Sequence, residues 1–290
     1  MERGAPANIP GKPVLVAPRG VWFYRGMKPF RIFLTRTLAA GLMLVGLAGC
    51  ITNKETGRTS LNFISESQEA TLGVSSFNQM KQQVPISKDP VANALVQKVG
   101  QRIAEQAKQQ LPNAQWEFIV FESKEANAFC LPGGKIGVYT GILPITKDEA
   151  GLATVLGHEV AHATSHHGGA RMSRALALQG LGVAVDAGTA SMENHAAMVA
   201  AYGAVAQVGV ELPFSREDES EADRIGLRFM ARAGYNPEAA VAFWERFAAF
   251  NAKAGSEGVW FLRTHPLSTT RIQQLKTWMP EAKAQYRPRP

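Results

Sequence analysis

Residues 158–162, His-Glu-Val-Ala-His, carry the side chains of a hydrolytic metal site. Two histidines four residues apart share one face of an α-helix, so both rings can reach one metal ion. Glu159 follows the first histidine, where its carboxylate can take a proton from a water molecule at the metal. This residue set predicts a zinc hydrolase. An accidental occurrence of the pattern is the alternative, and the surrounding sequence decides between them.

The surrounding sequence predicts that the motif lies on a buried helix. Asp148 and Glu149 precede it, and acidic side chains are favourable at the positive end of a helix dipole. Apolar residues recur at helical spacing on one face: Leu152, Val155, Leu156 and Val160. Gly168 and Gly169 predict the end of the helix. We therefore expect both histidines to project from a rigid element.

A catalytic zinc site needs three protein ligands and an open position. One known arrangement places a third histidine six residues after the second, preceded by a glycine. Those two positions hold Gly168 and Ser165 in this chain, so that arrangement is excluded. His166 and His167 are close in sequence, but at the end of the helix both are predicted to face solvent.

A later acidic segment, residues 215–226, offers a carboxylate ligand instead. Ser215 is a suitable N-cap, and the acidic first turn complements the helix dipole. Glu219 and Asp223 are four residues apart and hence on one face. Glu219 could bind the metal while Asp223 accepts a hydrogen bond from a ligand imidazole. The alternative is an ordinary solvated helix start.

Together, the two motifs resemble the HtpX, BepA and LoiP group of bacterial zinc metallopeptidases, of which the CAAX prenyl protease is a more distant relative. Residues 127–143 resemble the strand and turn that precede the active-site helix in that family. Residues 264–271 resemble its C-terminal His-Pro segment with an arginine. The resemblance covers about residues 60–280. It selects Glu219 as the third ligand over Glu217 and Glu221.

The resemblance implies a mainly α fold with a small β-sheet, a zincin-like metallopeptidase domain of the α+β class. It implies a zinc-dependent endopeptidase in which His158, His162 and Glu219 hold one Zn²⁺ and Glu159 is the general base. His265 is a candidate donor to the oxyanion, with Arg271 supporting its loop. Two alternatives for His265 are a lock that binds zinc in place of water and a structural His-Pro turn.

A strand is expected to align the substrate beside the metal. In zinc peptidases an exposed edge strand lets an extended peptide add itself to the sheet, which tolerates many sequences. The predicted strand and the glycine before it supply the candidate residues, Gly134, Lys135, Ile136, Gly137 and Val138. An ordinary sheet strand is the alternative. We expect unfolded or misassembled envelope proteins as substrates, and the outer-membrane assembly machinery as a partner.

The formal charge of +7 does not indicate nucleic-acid binding. Residues 1–49 contain seven Lys or Arg and one acidic residue, so the remainder is close to neutral, with 24 basic and 23 acidic side chains. Such a body lacks the basic surface that phosphate binding requires.

The N-terminus predicts export. Residues 27–49 have a basic start and an apolar stretch too short for a bilayer, which needs about 20 residues. The stretch ends in Leu47-Ala-Gly-Cys50, which resembles the cleavage box of bacterial lipoproteins. Cys50 would then be acylated and hold the protein at the periplasmic face of the outer membrane. An ordinary signal peptide is the alternative, and residues 1–26 are predicted to be a disordered or misassigned leader.

The remaining sequence predicts one peptidase domain at 64–282, a polar tether at 50–63 and a tail at 283–290. No helical-repeat array follows the catalytic region. Helices are expected near 65–82, 90–110, 148–166, 216–233, 237–250 and 268–278, with strands at 116–121 and 135–140. Residues 175–212 are predicted to form a helical hairpin that packs into the core, with a lid over the active site or a surface that leans on the membrane as alternatives. Cys130 is expected to be buried and inert. The rival function is a lipoprotein chaperone that uses the zinc fold as a binding platform.

Overall fold

The computed structural model describes residues 49–192, 196, 214–254, 260–265 and 270–288. It confirms the predicted fold class, because helices dominate and the strands form two small sheets. The predicted leader, nearly all of the signal peptide and the second half of 175–212 lie outside the described residues. Within the part of the chain that is described, no helix combines the length and apolarity that a bilayer crossing requires.

The first described element is a hairpin of strands β1 (Cys50–Thr52) and β2 (Thr59–Leu61), paired antiparallel. Its turn bonds to the body of the domain: Asn53 Nδ2 donates to Ser165 Oγ at 2.7 Å, and Arg228 Nη1 donates to Glu55 Oε2 at 3.0 Å. The segment predicted to be a polar tether is therefore a docked hairpin.

Two capped helices follow, close to their predicted positions. Helix α1 (Glu66–Gln83) begins with a capping box in which Ser65 and Gln68 bond to each other's backbone N–H. Helix α2 (Pro90–Ala107) begins at Asp89, whose carboxylate accepts from two backbone N–H groups. The buried face of α2 packs against both the sheet and the active-site helix.

The second sheet contains β3 (Glu117–Phe121), β4 (Ala128–Leu131) and β5 (Lys135–Tyr139) in the order β3-β5-β4. Strand β5 lies in the centre, parallel to β3 and antiparallel to β4, and all five of its residues are buried. The prediction of an exposed substrate strand is therefore wrong, since both backbone edges of β5 are already paired. The residues concerned are Gly134, Lys135, Ile136, Gly137 and Val138.

A short 3₁₀ turn (Thr140–Ile142) and helix α3 (Leu143–Thr146) lead from β5 to the central helix α4 (Glu149–Thr164). The Asp148 carboxylate caps α4 by accepting from Gly151 N at 2.8 Å. Every residue of α4 from Gly151 to its end is buried, as the apolar stripe predicts.

The next helix, α5 (His167–Thr189), starts three residues after α4 ends. The chain turns at His166, whose φ of 53° lies in the left-handed region. The predicted helix stop at Gly168 and Gly169 is wrong, because both glycines lie inside α5. Leu181 and Val183 on this helix are exposed, so its described part does not show the core packing predicted for residues 175–212.

The last four helices are α6 (Arg216–Arg232), α7 (Ala239–Ala254), α8 (Trp260–Thr264) and α9 (Arg271–Gln285). Helix α9 ends at Gln285, three residues after the domain boundary predicted at 282.

Helices α4 and α6 pack unusually close together where Gly157 meets Gly226. A Cβ atom added at Gly157 would lie 2.9 Å from Gly226 O, and one added at Gly226 would lie 2.9 Å from His158 N. Real Cβ atoms do not approach that closely, so the contact requires glycine on both helices. This approach brings the acidic face of α6 against the histidines of α4.

Candidate metal centre

The three predicted metal ligands meet in the core. His158 and His162 lie one turn apart on α4, and their Nε2 atoms are 3.1 Å apart. Glu219, in the first turn of α6, places Oε1 3.2 Å from His162 Nε2 and Oε2 3.5 Å from His158 Nε2. All three residues are buried. The sequence separates them by some fifty residues, and the close crossing of α4 with α6 removes that separation.

A fourth side chain, His265, joins this group from the end of α8. Its Nδ1 lies 2.8 Å from Glu219 Oε1 and 3.2 Å from His158 Nε2. One ligand atom from each of the four residues falls within 4.8 Å of the others. The ring is buried and stacks on Phe261 with centroids 4.4 Å apart. His265 therefore lies among the ligand atoms, which is the position that the lock alternative requires.

The four residues fit a tetrahedral zinc ion. Zinc binds imidazole nitrogen and carboxylate oxygen at about 2.0–2.2 Å, which puts neighbouring ligand atoms about 3.3 Å apart. The ligand atoms of His158, His162, Glu219 and His265 that lie in contact are 2.8–3.5 Å apart. Neutral imidazoles with one carboxylate are a donor set that zinc prefers.

The electrostatics of the cluster suit a cation. Burial lowers the pKa of His162 well below its usual value, so the ring is neutral, as a ligand must be. Burial opposes the charged form of His158, but the Glu219 charge and the Asp223 hydrogen bond outweigh it and raise its pKa to about 9, so the carboxylates stabilise a positive charge here, and a metal ion that binds this ring takes the place of its proton. Burial also opposes ionisation of Glu219, yet the charge of His158 and the surrounding hydrogen bonds hold its pKa far below the usual range.

Asp223 lies where the sequence places it, behind a ligand histidine. Its Oδ1 accepts from His158 Nδ1 at 2.9 Å, which turns Nε2 of that ring toward the cluster. Arg271 holds both carboxylates: Nε donates to Asp223 Oδ2 at 2.6 Å and Nη2 donates to Glu219 Oε2 at 2.7 Å. The guanidinium also lies 3.7 Å from the centre of the Trp244 ring.

The role predicted for Arg271 was to support the loop of His265. The structure instead directs its hydrogen bonds to the ligand Glu219 and to Asp223. Residues 266–269 of that loop lie outside the described residues.

Glu159 points into the same buried space without being a ligand. Burial raises its pKa, which is the usual direction for a carboxylate that acts as a base near neutral pH. Among the described residues its Oε1 has no hydrogen-bond partner, and His265 Nε2 lies 3.4 Å away. A buried carboxylate oxygen in this condition suits a base that waits for water or substrate. Burial and the nearby charge of Glu159 raise the pKa of Cys130, so that thiol is unreactive.

The prediction that His166 and His167 face solvent is wrong. The left-handed turn at His166 swings α5 back toward the cluster, and His167 is only 1% exposed. Its Nδ1 lies 2.8 Å from Nδ1 of the ligand His162. His166 is partly buried, with Nδ1 2.9 Å from Glu69 Oε2. Extrapolation of α4 past residue 164 could not find these contacts, because the helix breaks there.

Comparison with known proteins places these elements in a familiar context. The sequence model of peptidase family M48 matches residues 90–279. The chain is 38% identical over 174 residues to the mitochondrial metalloendopeptidase OMA1 of Schizosaccharomyces pombe, which covers 59% of this chain and 49% of that protein. It is 27% identical over 223 residues to the beta-barrel assembly-enhancing protease of Escherichia coli, covering 75% of this chain and 45% of that protein. The chain thus spans about half the length of these relatives.

Proposed function

The chain belongs to peptidase family M48, and from this premise we propose that it is a zinc-dependent endopeptidase of the bacterial cell envelope. The observation that carries the proposal is the convergence of His158, His162 and Glu219, with Glu159 beside them. The proposed substrates are misfolded or unassembled envelope proteins. The predicted export signal supports this choice of substrate, as does the similarity to the beta-barrel assembly-enhancing protease of Escherichia coli.

The chain's own residues account for the chemistry. Zinc, held by His158, His162 and Glu219, would polarise the scissile carbonyl and acidify the attacking water. Glu159 takes the proton from that water and returns it to the leaving amine. Asp223 and Arg271 keep the ligands oriented through the hydrogen bonds described above.

The substrate strand is proposed to lie along β4. One edge of β4 pairs with β5, and no described strand pairs with the other edge. Strand β4 packs against the active-site helix α4. An extended peptide added to that edge would lie on the sheet that packs against the helix carrying Glu159. The backbone of residues 128–131 therefore takes the role first predicted for residues 134–138.

The direct test is degradation of an unfolded protein such as casein by the purified full-length chain. We expect a zinc chelator to abolish cleavage and added Zn²⁺ to restore it, because the proposed mechanism needs the metal to activate the attacking water. Cleavage that persists without metal would contradict the proposal. Binding of unfolded protein without any cleavage would favour the alternative function, a lipoprotein chaperone or assembly factor.

His265 is proposed to act as a lock on the site. Its Nδ1 occupies a place among the ligand atoms, where water must bind for catalysis. We expect His265→Ala to raise the rate of casein cleavage severalfold at equal zinc content. A fall in kcat with zinc retained would instead assign His265 as the oxyanion donor, the other role that the sequence allows.

A lipid anchor at Cys50 is proposed from the signal that precedes it. Cys50 is exposed at the start of β1, so an acyl group there would not disturb the core. We expect mass spectrometry of the mature protein to find Cys50 as an acylated N-terminus, and Cys50→Ser to move the protein from the membrane fraction. An unmodified N-terminus at any other residue would exclude the anchor, and with it the proposed outer-membrane location.

A further inference from the structure

A second histidine holds the ligand His162 from behind. His167 Nδ1 lies 2.8 Å from His162 Nδ1, on the side of the ring away from the ligand atom Nε2. His167 Nε2 lies 3.0 Å from Glu221 Oε2. Both His167 and Glu221 are buried. The two rings and the carboxylate form a chain of hydrogen bonds that leads from the metal cluster to the hairpin.

The direction of these hydrogen bonds follows from the carboxylate of Glu221, at which they end. Arg58 Nη1 and Thr56 Oγ1 donate to the two oxygens of Glu221, so this carboxylate is the acceptor in which the hydrogen bonds end. Facing that carboxylate, His167 donates through Nε2–H, and its Nδ1 accepts in the 2.8 Å contact with His162. His162 must then donate through Nδ1–H, which leaves the lone pair on Nε2. That tautomer is the one able to bind a metal among the other ligands.

The far end of this chain is held by the N-terminal hairpin. Arg58, which precedes β2, donates from Nη1 to Glu221 Oε2 at 2.6 Å, and its Nη2 forms an ion pair with Asp218 Oδ1 at 2.7 Å. Thr56 Oγ1 donates to Glu221 Oε1. Both oxygens of Glu221 are thus occupied by residues of the hairpin turn, only a few positions after Cys50. The metal ligand His162 is connected to the start of the described chain through two side chains.

We infer that His167, Glu221 and Arg58 are positioning residues of the metal centre, and that the bonds of the hairpin turn to Glu221, rather than hairpin docking in general, present His162 Nε2 to the metal. The inference rests on the proposed role of His162 as a ligand. It assigns the N-terminal segment a part in metal binding. Because such coupling is reciprocal, bound zinc also stabilises the docked hairpin.

The hairpin offers a matched control for general stability. Glu55, in the same turn, accepts from Arg228 and from Arg232 Nη1, the latter at 2.9 Å. Arg232 has no contact with His167 or Glu221 among the bonds of the described residues. Arg232→Met therefore removes a guanidinium that binds the hairpin through Glu55 but leaves the hydrogen bonds of His167 and Glu221 intact. Arg58→Met removes a guanidinium that binds Glu221 itself.

The test measures the zinc dissociation constant of full-length variants by competition with a chromophoric chelator, together with the visible absorption of the Co²⁺-loaded protein. His167→Phe should bind zinc about 10–100-fold more weakly, as loss of an outer partner typically does, and should shift the Co²⁺ spectrum. Arg58→Met should weaken binding less. His167→Gln, which keeps an acceptor for His162 Nδ1–H, should recover part of the loss.

Arg58 acts on His162 only through His167. The double variant Arg58→Met/His167→Phe should therefore bind zinc no more weakly than His167→Phe alone. Zinc affinities within about twofold of the parent for both single variants, with unchanged Co²⁺ spectra, would overturn the inference. An equal loss in Arg232→Met would also overturn it, by showing a general effect of hairpin docking. If circular dichroism shows that His167→Phe does not fold, the zinc affinities of His167→Gln and Arg58→Met decide whether the inference holds. A parent chain that binds no zinc would overturn the proposed function instead.

Discussion

Replacing Glu159 by glutamine is expected to abolish proteolysis while leaving zinc bound. The side chain is buried beside the ligands, its pKa is raised by burial, and it makes no ligand contact in the cluster of four. Glutamine has nearly the same shape but cannot accept a proton at neutral pH. Because loss of a general base typically costs about 10²–10⁴-fold, kcat for casein cleavage should fall by at least that range.

The matched control for this variant is Glu149→Gln, in the first turn of the same helix. Glu149 forms an ion pair with Lys98 that is largely exposed, at 2.6 Å, and its loss should change activity little. Zinc content of Glu159→Gln, measured on purified protein, should equal that of the parent. Full activity in Glu159→Gln, or an equal loss in Glu149→Gln, would remove Glu159 from the role of base.

Replacing Glu219 by alanine is expected to remove zinc from the protein. Glu219 supplies the carboxylate of the cluster, and its Oε1 and Oε2 approach His162 and His158. The loss also leaves Arg271 Nη2 without the carboxylate that it binds at 2.7 Å, in a buried place. We expect zinc affinity to fall by more than the about 10–100-fold that loss of an outer partner costs.

Glu217 provides the control for the ligand assignment, because it lies in the same acidic turn but is exposed. Glu217→Ala should retain zinc and activity. Glu219→Gln tests the same assignment with less disturbance of packing, since it preserves the volume of the side chain and keeps an acceptor for Arg271. If both Glu219 variants retained one zinc per chain, the third ligand would have to be assigned to another carboxylate.

Local sequence was sufficient to locate the ligands on α4, because helical spacing alone puts His158 and His162 on one face. It also predicted that Asp223 shares a face of α6 with Glu219, since the two are four residues apart, and Asp223 accepts from His158 Nδ1. These inferences concern positions within one element, where the backbone geometry is known in advance.

Inferences that depended on contacts between elements were less successful. Strand β5 was predicted to be an edge, but whether a strand has one neighbour or two depends on segments distant in sequence. The unpredicted strand β4 takes the second side of β5. His167 was predicted to face solvent because α4 was assumed to end without a sharp turn, and the left-handed His166 reverses that expectation.

The sequence by itself identified the side chains that can bind a metal and act as a base, because helical spacing puts His158 and His162 on one face with Glu159 beside them. Only the tertiary structure showed how Arg271, His167 and Glu221 are connected to these side chains. The Gly157–Gly226 contact brings α6 onto α4, Arg271 binds Glu219 and Asp223 on α6, and the hairpin reaches His162 through Glu221 and His167. Such connections depend on distances between segments far apart in the chain, and those distances are set by packing rather than by local sequence.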